Sequence, residues 1–309
     1  TARNLYLSPS SAWGVMEASI RNLVQTKVLN LCCGAFSDKW YSVAKSCGKN
    51  AEKIQVEWGE SIDPEAVREK LAEGGFDTVT LVHNETSTGV MNPLKEIAEV
   101  VKSFDGVLLV VDTVSSFSAV PTPMDEYGID VLLAGVQKAL ALPPGLAVFG
   151  VSEAALERAE TTPDRGYYFD FLEFAKADVK NNTPSTPSIA LLYALREKVQ
   201  SIMAEGLENR YARHAKLNGM LNDWATKHGL KNLAADGYQS KTLLCVENDK
   251  DIDVPAFVKA VREKHNILIN GGYGKIKGKT FRVSNMGNED EASIQHLISC
   301  LDDVIPDFL

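Results

Sequence analysis

Lys138 stands at the centre of the segment Ala134–Gly150, after an apolar run, Ile129–Leu133, and before a Pro143-Pro144-Gly145 turn and a second apolar run, Leu146–Phe149. An amine at the mouth of a buried strand is desolvated, which disfavours its charge and lowers its pKa. A lowered pKa makes it nucleophilic toward an aldehyde, the condition for Schiff-base chemistry. Most lysines are simply solvated, so the reading depends on the company this one keeps. Asp112 ends the most apolar run of the chain, Val107–Val111. A carboxylate there is costly unless paired or hydrogen-bonded. It could keep a pyridinium nitrogen protonated and make the ring an electron sink, or it could cap the Asp-Thr-Val-Ser-Ser turn that follows.

Three further clusters carry polar chemistry. The stretch His83–Gly89 (His-Asn-Glu-Thr-Ser-Thr-Gly) follows the apolar run Thr78–Val82; it reads as a ligand loop or as an ordinary turn rich in Ser and Thr. The stretch Ser8–Gly14 precedes a helical run, Val15–Leu23. Small hydroxyl residues at a helix N-terminus suit a phosphate, and equally suit a plain cap. Arg282 lies within Lys279–Gly287, flanked by apolar residues. A guanidinium fork there can clamp a carboxylate through two parallel hydrogen bonds, or join a structural ion pair.

The elements that must position these residues alternate. Strands are expected at Val28–Leu31, Ile54–Val56, Thr78–Val82, Val107–Val111, Ile129–Leu133 and Leu146–Phe149, with helices between several of them, such as Pro64–Glu73 and Pro93–Lys102. Asp63 and Asn92 stand before the two prolines as expected N-caps. Continuous Val/Leu runs indicate strands buried on both faces, as in a parallel sheet covered by helices. In such sheets ligands bind at the carboxyl ends of the strands, where the candidate residues lie. Near residue 195 the pattern changes. Helices are expected at Pro187–Met203, Glu205–Lys227, Val254–Lys264 and Asp290–Ile305, with short strands at Thr242–Val246, Ile267–Ile269 and Thr280–Val283. The fold class expected is α/β: a mainly parallel sheet sandwiched by helices, over residues 1–195, and a smaller α+β domain over residues 196–309.

With 309 residues and 45% hydrophobic content, the chain can bury a large core. A net charge of −9 argues against nucleic acid or an anionic membrane as the main partner. No apolar run reaches the length of a membrane span, and Thr1–Leu7 does not resemble a signal peptide. The five cysteines, Cys32, Cys33, Cys47, Cys245 and Cys300, show no paired CxxC spacing, so neither zinc nor a disulfide framework is expected. Free thiols fit a reducing, cytoplasmic compartment. No GxGxxG follows the first strand, which weighs against a dinucleotide site.

Together these motifs resemble one family. Gly135-Val-Gln-Lys-Ala-Leu-Ala-Leu-Pro-Pro-Gly-Leu-Ala147 resembles the lysine motif of the class V pyridoxal-phosphate aminotransferases, in the branch of the alanine–glyoxylate and serine–glyoxylate (serine–pyruvate) enzymes. The His83–Gly89 cluster, Val111–Ser116, Thr183–Pro187 and Gly271–Arg282 match the same branch, so the resemblance spans nearly the whole chain. It implies the fold-type-I architecture of these enzymes and pyridoxal 5'-phosphate as cofactor. It implies that Lys138 bonds the cofactor's aldehyde, Asp112 pairs with the pyridine nitrogen, and Val114 packs on the ring. Phe36 stacks on the other ring face, and Thr86 meets the phenolic oxygen. Ser11, Ala12, Trp13 and Gln137 surround the phosphate, and Thr186 reaches the phosphate of a neighbouring subunit in a homodimer. Arg282 binds the substrate carboxylate. The implied reaction moves an amino group from alanine or serine to glyoxylate or pyruvate.

The chain departs from the branch in places. Val136 replaces the usual Ser, and Ala12-Trp13 replaces a commoner small or polar pair. It begins almost at the phosphate motif, whereas relatives carry an N-terminal arm with a glycine-rich substrate loop. Two alternatives accompany the main expectation. One is a class V desulfurase or lyase, against which stands Gln137, where those enzymes place His before the lysine. The other is a truncated, non-catalytic subunit.

Overall fold

The computed structural model describes residue 1 and residues 3–309. The first half of the chain runs β1 (Asn4–Ser8), α1 (Ala12–Leu23), β2 (Val28–Cys32), α2 (Ala35–Ser46), β3 (Ala51–Gln55), α3 (Pro64–Ala72) and β4 (Thr78–Val82). A two-residue hairpin follows, β5 (Asn84–Glu85) with β6 (Val90–Met91). Then come α4 (Leu94–Lys102), β7 (Leu108–Asp112), α5 (Met124–Tyr127), β8 (Val131–Gly135) and β9 (Ala147–Val151). The second half comprises α6 (Glu153–Thr161), α7 (Phe171–Asp178), α8 (Ile189–Glu205), α9 (Leu207–Lys227) and β10 (Lys231–Asn232). It continues with β11 (Leu243–Glu247), α10 (Val254–His265), β12 (Asn270–Gly271), β13 (Thr280–Ser284) and α11 (Glu291–Asp302).

The large sheet has the order β1-β9-β8-β7-β4-β2-β3. Strands β8, β7, β4, β2 and β3 are mutually parallel, while β9 runs antiparallel to both β8 and β1. Alternate residues of each strand feed opposite cores. Val28, Val82, Val110 and Leu133 pack in one apolar cluster with residues of α1, α2, α6 and α7. Leu29, Leu31, Leu81, Val111 and Leu132 pack in the other, with α3 and α4. That two-sided burial is why the strands read as unbroken apolar runs. Register then sets the site: Val82 pairs with Asp112, and Asp112 with Leu133. The carboxyl ends of β4, β7 and β8 are therefore level, and their loops emerge side by side.

The second sheet, β10-β11-β13-β12, is wholly antiparallel and packs on α9, α10 and α11 around Trp224, Phe257 and Phe281. Residue 196, where the division of the chain was expected, lies inside α8, so one helix carries the chain across it.

Several expectations need correction. The first helix begins at Ala12 rather than Val15, with Ser11 as N-cap. Asp63 does cap α3, accepting from the Glu65 amide at 2.9 Å. Asn92 does not cap α4; the cap is Pro93. Asn92 instead bridges Ile62 N and Val82 O, closing the base of the 83–91 hairpin. Residues Ile267–Ile269 are not a strand; pairing starts at Asn270. β1 and the helices α2, α6 and α7 were not anticipated. β1 owes its existence to its pairing with β9. The five cysteines carry free thiols. Among the described residues no helix is long and apolar enough to cross a membrane.

Candidate active site

At the level carboxyl ends of the parallel strands lies a narrow recess of about 80 Å³. Its wall brings together Ala12, Trp13, Phe36, Thr86, Asp112, Val114, Gln137 and Lys138, each expected there from the sequence, and adds Met16, Val82, Asn84 and Ser115. Asp112, only 7% exposed, is oriented by two donors. Trp40 Nε1, from α2, donates to Oδ2 at 3.1 Å, and the Val114 amide donates to Oδ1 at 3.0 Å. Burial pushes the Asp112 carboxyl up to about 6, against the opposing pull of these two bonds. Burial also lowers the pKa of Lys138, assisted by the positive charge of Arg282 and opposed by Asp112. An acid and an amine thus share one recess, each with its charged form disfavoured.

The helix α2 contributes on consecutive turns: Phe36 lines the recess, and Trp40, four residues on, holds Asp112. Its N-terminus is fixed from outside the helix by Glu85, which is fully buried. The Glu85 carboxylate accepts from the amides of Phe36 and Ser37 at 3.1 and 2.9 Å, and from the Ser37 and Ser87 hydroxyls at 3.0 and 2.7 Å. An anion at that end also complements the helix dipole. Gly34 is required here, since a Cβ would overlap Glu85 Cγ and sit 2.6 Å from Ser87 Oγ. Phe36 itself stacks on Tyr273, with ring centroids 5.6 Å apart.

Ser11 is exposed beside Ala12 and its side chain makes no capping bond; the Gly14 amide bonds Ser11 O at 2.9 Å, while those of Ala12 and Trp13 have no acceptor among the described residues. Lys39 Nζ lies 4.9 Å over the Trp13 ring. Val136 points away into an apolar cluster with Leu140, Leu146 and Ile202. Thr186 is exposed on the segment before α8, outside the recess of its own chain.

The recess opens onto an outer chamber of about 660 Å³, sharing Thr86, Gln137 and Lys138 with it. Arg282, from β13, lies on the chamber wall. Its Nη1 donates to Thr86 O at 2.9 Å and its Nε to Gly271 O at 3.3 Å. These partners are neutral carbonyls, so its charge is available to an incoming anion. The site therefore sits between the two sheets, with the 83–91 hairpin wedged at the seam. Gly89 (φ +76°) allows that wedge, because a Cβ there would meet Cys245 Cβ at 2.9 Å.

Sequence reasoning missed Trp40, Asn84, Glu85 and Ser115 as site residues. Asn84 and Glu85 belong to the quoted His83–Gly89 cluster, and their burial was the missing information. Asn84 Nδ2 donates to Ser115 Oγ at 2.8 Å and Thr242 Oγ1 at 3.1 Å. Trp40 had a weak signal: it stands one helical turn beyond Phe36 in an amphipathic run.

The family model described as aminotransferase class-V matches residues 33–291. The chain belongs to the class-V aminotransferases. This class-V chain is similar to an uncharacterized aminotransferase of Methanocaldococcus jannaschii, 36% identical over 98% of this chain and 80% of that protein. It is similar to a serine–glyoxylate aminotransferase of Arabidopsis thaliana, 33% identical over 97% of this chain and 76% of that protein. Its fold matches a solved alanine–glyoxylate aminotransferase from Nostoc sp., with TM-score 0.92 and 32% identity over 99% of this chain and 82% of the other. A class-V aminotransferase uses pyridoxal 5'-phosphate. The recess fits that group chemically, since it pairs a desolvated amine with a desolvated carboxylate. Two buried polar atoms on its wall, Gln137 Oε1 and Asn84 Oδ1, have no partner among the described residues, as befits a site completed by a polar guest.

Proposed function

We propose that this class-V aminotransferase moves an amino group from alanine or serine to glyoxylate or pyruvate, with Lys138 as its central residue. The observation that carries the reading is the placement of Lys138 and Asp112 on one buried recess that opens toward Arg282. When bound, pyridoxal phosphate supplies an aldehyde for amine exchange and a ring that takes up an electron pair. Lys138 would hold the cofactor through its aldehyde, and its free amine would carry the substrate's α-proton. Asp112 keeps the proton on the ring nitrogen. Val114 and Phe36 would pack on the ring, and Thr86 would hydrogen-bond its phenolic oxygen. The amides of Ala12 and Trp13, with Ser11 and Gln137, bind the phosphate. Arg282 takes the substrate carboxylate in its fork.

Relatives named for serine–glyoxylate and alanine–glyoxylate activity support the choice of substrates. The exposed Thr186 reads as a contact to the phosphate of a second copy, making a homodimer, and the free thiols suit the cytoplasm. The desulfurase reading lacks a nucleophile: none of the cysteines lines the recess or the chamber.

The test is Lys138→Ala. The variant should lose the visible absorbance of the enzyme-bound cofactor and turn over neither alanine nor serine with glyoxylate. Retention of that absorbance by a folded variant sinks the assignment.

A further inference from the structure

A second buried cation stands close to the lysine turn, and no motif announces it. Arg210, on α9, is 2% exposed. Its Nη2 donates to Ala139 O at 2.6 Å, one residue beyond Lys138. Its Nε donates at 3.0 Å to the carbonyl of Ser118, a residue with φ +63° in the turn that follows Asp112. Its Nη1 donates to Glu205 Oε2 at 3.0 Å. Glu205 Oε1 accepts in turn from Arg213 Nε at 2.6 Å, and Arg213 also donates to the carbonyls of Gly287 and Glu289. Glu289 lines the outer chamber. Gly287 (φ +89°) lies so close to the lysine turn that an added Cβ would come within 2.9 Å of Ala141 Cβ.

We propose that Arg210 is a positioning residue for Lys138. Its guanidinium locks the 138–141 turn to the Ser118 turn and, through Glu205 and Arg213, ties both to the 287–289 lip of the substrate chamber. The proposal rests on the reading of Lys138 given above. A planar fork is needed, because its three nitrogens serve three acceptors in different directions, two carbonyls and a carboxylate. Deleting it leaves the buried carbonyl of Ala139 and the half-buried one of Ser118 without that donor, and the turn that carries Lys138 must shift to rehydrate them. A displacement of an ångström at a reacting group costs on the order of 100-fold in rate. Arg210 lines neither the recess nor the chamber, so cofactor and substrate affinity should change little.

The experiment compares Arg210→Gln, Arg210→Lys and Glu205→Gln with the parent holoenzyme. The readouts are kcat and KM with alanine or serine and glyoxylate, and the pH midpoint of the visible cofactor band. Arg210→Gln and Arg210→Lys should lower kcat about 10- to 100-fold with KM within about threefold, and should move the band's midpoint. Glu205→Gln should do the same in smaller measure. The groups that set that midpoint directly, Asp112 and Arg282, stay in place in all three variants. If the soluble, cofactor-loaded Arg210 variants keep parental kcat and midpoint and differ only in melting temperature, Arg210 is merely structural and the proposal fails. Should Arg210→Gln not fold, unchanged kcat and midpoint in the other two overturn it equally. Failure of the Lys138 reading is distinct: it would show as visible absorbance surviving in Lys138→Ala. If alanine and serine both prove inert, the midpoint alone decides.

Discussion

Asp112 concentrates the energetics of the site. Its carboxyl titrates near 6 in the folded chain, against 3.8 for an ordinary aspartate. Between those values the folded chain holds the proton more tightly than the unfolded one, so this group adds stability as the pH falls through that window. Above it the ionised carboxylate destabilises the cofactor-free protein by roughly 3 kcal/mol. Cofactor-free Asp112→Asn should therefore melt above the parent at neutral pH, with the gap narrowing toward about pH 4. Thermal scans across that range check it, and a pH-independent gap contradicts it. The same variant should retain cofactor poorly, because an amide cannot hold the ring proton. Trp40→Phe removes one of the two donors to Asp112. It should raise the carboxyl's titration point and weaken cofactor retention by about tenfold, the worth of one hydrogen bond to a charged group; equilibrium dialysis measures it. Lys138, Asp112 and Arg282 were legible in the sequence because a charge against an apolar run is conspicuous in one dimension. Trp40 was not, because a tryptophan in an amphipathic run looks like core until its N–H is seen on a carboxylate 72 residues away.

At the scale of elements, α2 matters most. It presents Phe36 and Trp40 to the recess, yet its start is dictated by Glu85, which caps it from 48 residues away in sequence. That explains why α2 escaped the sequence reading while α3 did not: Asp63 caps α3 locally, and local caps are what sequence displays. Glu85→Gln replaces a carboxylate accepting several amides and hydroxyls with a group bearing donors. A loss of about 2–4 kcal/mol is expected, read as a lower denaturant midpoint. Gly34→Ala should be at least as damaging, since its Cβ would overlap the Glu85 side chain. Strand positions in the parallel sheet were legible from their apolar runs, with β4 as expected and other edges shifted by up to three residues. β1 was not, because its residues alternate without a long apolar run and pair only at the sheet's antiparallel rim.

For the whole molecule, the site belongs to neither sheet alone. Asp112 comes from the large sheet and Lys138 from the turn after β8, Arg282 comes from the small sheet, and Thr86, on the recess wall, accepts from Arg282 through its carbonyl. Arg282→Lys should keep the visible cofactor band but raise KM for both the amino and the oxo acid by about 10- to 100-fold, because a single ammonium cannot reproduce the fork. An unchanged KM would remove Arg282 from the substrate site. The proposed homodimer predicts a sedimentation coefficient of two copies, and Thr186→Val should weaken cofactor binding in that dimer without lowering the melting temperature of the cofactor-free protein.

The connection from β8 to β9, residues 136–146, is internally tied. Val136 N reaches Leu146 O, Leu142 N reaches Val136 O, and Ala141 N closes back on Lys138 O at 2.8 Å. Both flanking strands are hydrogen-bonded along their length to each other. The backbone under Lys138 is thus an anchored post rather than a flap. In the proposed reaction any travel of the amine is therefore left to rotations about its own methylene stem, so its range would be the length of that tether and its speed that of side-chain torsions.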